Sequence, residues 1–235
     1  MGAELMTDSG GSKAVVVAID GPAGAGKSTV ARSLARDLGY TYIDTGAMYR
    51  SVGVLATEQG TALDDVAALD QLVRTMEFEF PWQDGELQTV VNGRNLSRAI
   101  RTADAAMNAS TVSKVPEVRR ALVARQREMG RSGGVVMEGR DIGTVVFPDA
   151  GLKVFLSASA EVRGRRRWLQ MRERGQEADL ATVIEEVERR DLQDRTRKEA
   201  PLRPAEDAVI LDTSEMNLEQ VLAALGLLVS ERVAV

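Results

Sequence analysis

The chain has 235 residues, 44% of them hydrophobic, a net charge of −5, 25 Arg against 5 Lys, and neither Cys nor His. That length supports one substantial core with room for a small inserted domain, the acidic balance argues against a general nucleic-acid role, and no apolar run reaches the about 18 residues of a membrane span. The missing residue types exclude disulfides, thiolate metal sites, cysteine nucleophiles and histidine acid–base chemistry, so any catalysis must use carboxylates, Lys, Arg, hydroxyls or the backbone.

Met1 to Lys13 is polar and glycine-rich and has neither the basic start nor the apolar stretch of a secretory leader. It is expected to be a disordered tail, on a protein expected in the cytoplasm. Ala14 to Ile19 is a short β-branched run that reads as a buried strand. Gly21-Pro22-Ala23-Gly24-Ala25-Gly26-Lys27-Ser28 then fills every position of G-x-x-x-x-G-K-[ST]. From Ser28 and Thr29 to Leu38 apolar residues recur at helical spacing, and Gly39 supplies a stop. Strand, glycine turn and helix aim successive N–H groups and a helix N-terminus at one point, where a phosphate chain sits. These residues, Gly21 through Thr29, are the expected ATP-binding segment. Lys27 reaches the β- and γ-phosphates and the Ser28 hydroxyl faces Mg²⁺. The bland reading, an ordinary glycine-rich turn, does not require Lys and Ser at those positions. Phosphoryl transfer is the major reaction class that manages with the residue types present, because it needs positioning and charge neutralisation above acid–base chemistry.

Tyr40 to Asp44 predicts a second strand, followed by a helix from about Ala47 to Glu58. From about Ala62 to Met107 the character changes. Met76 to Phe80 and Leu87 to Val91 alternate with period 2, Pro81 to Glu86 reads as a polar turn, and Asn92-Gly93 is a strong hairpin signal. This is a small antiparallel sheet inserted in a βα chain. Helix returns from Pro116 to Met129, and Val135 to Met137, Leu152 to Leu156 and Ala208 to Asp212 predict three more strands. Charged helices at about Glu161–Arg174 and Leu180–Arg195 precede the last strand, and Leu218 to Val229 closes the chain. Ten of the 25 Arg lie between Arg163 and Arg197. A solvated helix face explains many of them, but the preference for Arg suits bidentate phosphate binding. Trp82 and Trp168 are expected to pack. The fold class is α/β, with ligands collecting at the carboxyl ends of the strands.

The P-loop, Asp44-Thr45-Gly46-Ala47-Met48-Tyr49-Arg50, Gly139-Arg140-Asp141-Ile142-Gly143-Thr144-Val145-Val146-Phe147-Pro148 and Arg190-Asp191-Leu192-Gln193-Asp194-Arg195-Thr196-Arg197 together resemble the bacterial cytidylate kinases, from about Val15 to the C-terminus. The resemblance implies a P-loop nucleoside-monophosphate kinase fold with a five-stranded parallel sheet, flanking helices and a small antiparallel-sheet insertion. It implies a core over residues 14–61 and 108–235, a monophosphate-binding insertion over 62–107 and a lid at about 163–175. It implies transfer of the γ-phosphate of ATP, with Mg²⁺, to CMP and dCMP. By position it assigns Arg50, Arg140 and Arg197 to the acceptor phosphate. Thr45, Ser110, Arg119 and Asp141 fall to the cytosine edge, Arg190 and Asp194 to the sugar hydroxyls, and Tyr49 to the wall of the site. Lys27, Arg140 and the lid arginines Arg163 and Arg166 would act on the transferring group. Asp44 reads either as an acid in the second shell of Mg²⁺ or as a structural strand end. Gly60-Thr61 and Asn108-Ala109-Ser110 read as hinges of the insertion, so that CMP closes the insertion and ATP the lid. Asp194 lies four residues from Arg190 and three from Arg197, on one helix face, which an intrahelical salt-bridge ladder would also explain. The chain is expected to act as a monomer on small nucleotides, without nucleic acid or membrane. Uridylate, adenylate or shikimate kinase activity is the nearest alternative. A GTPase is disfavoured because N-K-x-D and a later D-x-x-G are missing, and a P-loop module driving a larger partner would need extra domains or a basic surface.

Overall fold

The computed structural model describes residues 15–83, 85–173 and 175–233. The tail expected over Met1–Lys13 lies outside the described residues. Five strands form the central parallel sheet: β1 (Val16–Asp20), β2 (Thr41–Asp44), β8 (Val135–Gly139), β9 (Leu152–Ser157) and β10 (Val209–Asp212), in the order β10-β9-β1-β8-β2. The central β1 and β8 are buried at every position, as strands covered by helices on both faces must be. The edge strand β10 alternates between half-buried and exposed.

Between these strands run α1 (Lys27–Leu38), α2 (Thr45–Glu58), α3 (Val66–Arg74), α4 (Ala103–Val112), α5 (Pro116–Gly130), α6 (Ala160–Glu173) and α7 (Leu180–Thr196), with α8 (Leu218–Val233) last. One core layer packs α1 and α8 on the sheet through Val30, Leu34, Leu152, Leu156, Val221 and Leu225. Another gathers Met48, Val52, Leu69, Val73, Leu96 and Leu122 between α2, α3, α5 and the inserted segment.

The insertion is richer than a single sheet. Its strands are two residues each: β3 (Phe78–Glu79), β6 (Val90–Val91) and β7 (Arg94–Asn95) form one sheet, while β4 (Trp82–Gln83) and β5 (Glu86–Leu87) form a separate hairpin where a polar turn was expected. Pro81 lacks the N–H that would carry β3 on into β4. Asn92 and Gly93 both have positive φ, 50° and 74°, the backbone of a type I′ turn. Trp82 is 51% exposed and does not pack as expected. Trp168 does pack, donating from Nε1 to the Ala178 carbonyl at 2.8 Å beneath the Arg172 guanidinium.

The helix α3 was not anticipated, although Asp65 caps it by accepting from the Ala68 N–H, and Leu69 and Val73, one turn apart, bury one stripe. Asn108-Ala109-Ser110, expected as a polar hinge segment, is helical. Thr102 caps α4, which runs through these residues, and a Cβ on Gly53 of α2 would come within 2.7 Å of Asn108 Cβ. So close an approach packs the segment directly against α2.

Candidate active site

The carboxyl ends of β1, β2 and β8 open into two clefts that share the P-loop and α6. The first, about 560 Å³, runs from Lys27 and Ser28 past Thr45, Tyr49 and Arg50 to Arg140, Asp141, Arg190, Asp194 and Arg197. The second, about 470 Å³, lies on the other side of residues 24–30, against Arg166, Gln170, Thr213, Asn217 and Val221. Gly24, Lys27, Ser28, Thr29, Arg167 and Gln170 border both.

The P-loop is built as its sequence requires. Gly21, with φ 149°, passes so close to β9 that a Cβ would lie 2.1 Å from the Leu156 carbonyl oxygen. Gly26 begins α1 in the left-handed region, and no side chain caps the helix. The first N–H groups of α1 therefore stay available to an anion. Lys27 is buried, donating from Nζ to the Pro22 carbonyl at 2.7 Å. Burial, with Arg140 nearby, pushes its ammonium down to about 7.

The first cleft is lined by cations that outnumber their partners. Arg50 pairs with Asp44 at 2.8 Å, Arg140 with Asp194 at 2.9 Å, and Arg119 with Asp141, while Arg197 stands 3.8 Å from Asp141 and donates from Nε to the Ala200 carbonyl. Burial, reinforced by Arg140, lowers the Arg190 guanidinium to about 10. Arg119 Nη1, Arg167 Nε, Arg190 Nε and Arg197 Nη2 are buried without hydrogen-bond partners. Buried guanidinium donors left open in a concave site are suited to receive an anion.

The expected acceptor-site residues Thr45, Tyr49, Arg50, Ser110, Arg119, Arg140, Asp141, Arg190, Asp194 and Arg197 all line this cleft. Thr45 donates its hydroxyl to the Glu138 carbonyl at 2.7 Å, so only its lone pairs are free for a ligand. The Tyr49 ring stacks under Arg119 at 6.0 Å, and burial pushes its phenol up to about 12. Asp44 is a strand end put to use: it caps α2 through the Ala47 N–H at 2.9 Å and anchors Arg50.

The two lid arginines are placed differently from one another. Arg166 borders the second cleft and donates to Thr213 Oγ1 and its carbonyl. Arg163 borders neither cleft. It is 4% exposed behind the P-loop, paired with Asp191 at 2.6 Å and donating to the Ala23 and Ala158 carbonyls. A Cβ on Gly164 would meet Ile184 of α7 at 2.4 Å. The first turns of α6 are therefore locked to α7, which argues against a lid that begins at residue 163. The arginine of α6 that lies where the clefts meet is Arg167.

Two acids were given no role by sequence reasoning. Asp20 ends β1 and Glu138 lies in β8, both buried. Glu138 accepts from the Tyr42 hydroxyl and lies within hydrogen-bonding reach of Ser28; burial, then the Asp44 charge, raises its carboxyl. Burial raises Asp20 to about 6. The one available signal was their place directly before or within glycine motifs at strand ends.

Among the described residues no group of three or more His, Cys, Asp or Glu side chains could hold a metal ion alone. The Ser28 hydroxyl, exposed at the P-loop with Glu138 and Asp44 behind it, is an all-oxygen set. It fits a hard cation that completes its shell with phosphate oxygens and water, as Mg²⁺ does. Among the described residues no helix is long and apolar enough to cross a membrane.

A family model described as cytidylate kinase matches residues 17–230. A cytidylate kinase from Geobacter sp. (strain M21) is 52% identical over 221 residues, covering 94% of each chain. One from Syntrophotalea carbinolica is 49% identical over the same length and coverage. A more distant one, from Pasteurella multocida, is 44% identical over 212 residues, covering 90% of this chain and 93% of that one.

Proposed function

The chain belongs to the cytidylate kinase family, and on that premise we propose how its two clefts divide the reaction. The enzyme is a nucleoside-monophosphate kinase that transfers the γ-phosphate of ATP to CMP, giving CDP and ADP. ATP enters the second cleft with its phosphates in the P-loop, between Gly21 and Thr29. CMP enters the first. The observation that carries this reading is the set of four unpartnered guanidinium nitrogens, on Arg119, Arg167, Arg190 and Arg197, in the cleft that adjoins the P-loop.

Arg50, Arg140 and Arg197 grip the acceptor phosphate, and Asp194 fixes the Arg140 fork while sharing the sugar hydroxyls with Arg190. Asp141 and Thr45 accept from the N4 amine of cytosine; uracil carries a carbonyl there and has no proton to give. Arg119 and Ser110 complete the base edge against Tyr49. Leu87, Thr89, Ser97 and Arg101 border the same cleft, which supports an insertion over residues 62–107 that covers the bound monophosphate. Lys27 and Arg140 stand on opposite sides of the path of transfer, with Arg166 and Arg167 on α6 beside it. Their fixed positive charges meet the negative charge that spreads over the group in flight. Ser28, with Glu138 and Asp44 behind it, would hold Mg²⁺, which neutralises phosphate charge when bound. On this reading the enzyme is a monomer acting on ATP, CMP and dCMP in the cytoplasm.

The test is a panel of CMP, dCMP, UMP, AMP and shikimate with ATP and Mg²⁺, followed by ADP release. CMP and dCMP should give the highest kcat/KM. A higher value for UMP, AMP or shikimate would reassign the first cleft.

A further inference from the structure

Asp20 stands one residue before the P-loop yet borders neither cleft. Its carboxylate reaches across to the loop after β8 instead. Oδ1 accepts from the Ile142 N–H and Oδ2 from the Gly143 N–H, each at 2.8 Å and over more than 120 positions of sequence. Those two N–H groups open a π-turn over Ile142–Val146, the residues directly after Arg140 and Asp141. The far end of the turn is tied down too: Arg127 donates to the Val145 carbonyl at 2.7 Å and the Val146 carbonyl at 3.0 Å. A Cβ on Gly143 would lie 3.2 Å from the Lys153 stem and 3.5 Å from Asp20 Oδ2, so the turn rests directly on the carboxylate.

We propose that Asp20 is a positioning residue whose bidentate hold on the Ile142 and Gly143 amides fixes the distance between the P-loop and the Arg140–Asp141 corner. This rests on the reading that Arg140 and Asp141 hold the acceptor. The physical case is one of geometry and chemistry together. A carboxylate is the only short side chain that offers two acceptors and no donor to a pair of parallel N–H groups. In phosphoryl transfer the spacing of donor and acceptor is most of the catalysis, and a displacement of about 1 Å can cost about 10²-fold in rate. A π-turn beside a functional loop is a common place for such a device.

Burial of Asp20 works against its charge, and the neighbouring Asp141 adds to that, while the two amides and the Lys27 ammonium favour it. The Lys153 ammonium is directed elsewhere, onto both oxygens of Asp207 at 2.8 Å. The carboxylate consequently titrates near 6, within reach of assay. Protonation puts a hydroxyl donor where an acceptor is needed and loosens the corner.

Two measurements test this on the full-length protein. In the ligand-free wild type, ¹⁵N-edited spectra between pH 5 and 8 should show the Ile142 and Gly143 amides moving with one midpoint near 6. Asp20→Asn, whose amide turns a donor toward one of the two N–H groups, should lower kcat by up to about 10²-fold, raise KM for CMP roughly tenfold and change KM for ATP by less than about twofold. The ratio of variant to wild-type KM for CMP should shrink below pH 6 as the wild-type carboxylate itself protonates. Ile142 and Gly143 amides that do not follow the Asp20 carboxyl carbon through its own titration overturn the proposal. So does a variant that shifts both KM values alike, the mark of general loosening. If the variant does not fold, the wild-type amide titration decides alone. A wild type that ignores CMP would instead refute the acceptor assignment, and the amide titration would still report on Asp20.

Discussion

Replacing Asp141 separates base reading from simple scaffolding. Its carboxylate pairs with Arg119, and the two side chains are only 8% and 7% exposed; Arg197 stands 3.8 Å away on the other oxygen. Asp141→Ala would strand two cations in a buried site, and breaking such a pair from one side costs about 3–5 kcal/mol. Arg119→Met should cost a similar amount. The double variant should cost little more than either single one, giving a coupling energy of about 3 kcal/mol in a double-mutant cycle read by urea unfolding without ligand. Asp141→Asn keeps the size and one acceptor, so it suits the kinetic half. The N4 amine of CMP then meets a weaker acceptor, while the new amide can donate to O4 of uracil. Loss of the charged acceptor is worth about 1–3 kcal/mol, so kcat/KM for CMP should fall about 10–100-fold relative to UMP. Equal loss on both substrates would show that Asp141 does not read the base. Full additivity in the unfolding cycle would show that the pair does not act as one unit.

Lys27→Ala should lower kcat on the order of 10³-fold with the melting temperature unchanged or raised, because Nζ makes a single hydrogen bond to Pro22 and its burial opposes its charge; retained kcat would remove the P-loop lysine from the chemistry. The Lys27 ammonium of the free protein titrates near 7, and a polyphosphate beside it favours the charged form and raises that value. At pH 7.5 ATP binding should therefore take up a proton, seen by calorimetry in buffers of different ionisation enthalpy, and the uptake should vanish at pH 5.5 and in Lys27→Ala. In α6, Arg163→Met should lower stability by several kcal/mol through the orphaned Asp191, whereas Arg167→Met should keep stability and lose kcat. The reverse pattern would restore Arg163 to the site. Amide exchange should be slow over residues 160–166 with or without nucleotide and should slow over 170–173 only when ATP and CMP are both bound; equal exchange there in all states would mean no closure.

The parts of the site legible in the sequence are those whose geometry is local. A P-loop is a run of dihedral angles and donors, so Gly21 to Ser28 specify it unaided. Arg50 lies one helical turn and a half from the strand end that anchors it, and Arg190 and Asp194 lie one turn apart on α7; Arg197, expected on the same helix face, instead caps the helix in an extended conformation. What depends on packing between distant elements was not legible. Arg163, Arg165, Arg166 and Arg167 are near neighbours in sequence, but each step turns about 100° around the helix. Which of them sits behind the P-loop is decided by Gly164 against Ile184. Asp20 was not singled out because its two partners are more than 120 positions away. Asn108-Ala109-Ser110 looked like a hinge because polar residues on a helix that faces a cleft resemble a loop. The strands β3, β6 and β7 lie where they were expected, but the β4–β5 hairpin occupies the stretch read as a polar turn; the division into two sheets follows from Pro81, whose missing donor was visible and whose consequence was not.

The account stands on two nucleotides lying in adjoining clefts with their phosphates meeting over Lys27. A single molecule that joins adenosine and cytidine through five phosphates tests that directly, by steady-state inhibition against each substrate in turn. It should compete with both ATP and CMP, and its uridine counterpart should bind more weakly. Competition with ATP alone, or equal binding of the cytidine and uridine forms, would contradict the placement of the acceptor.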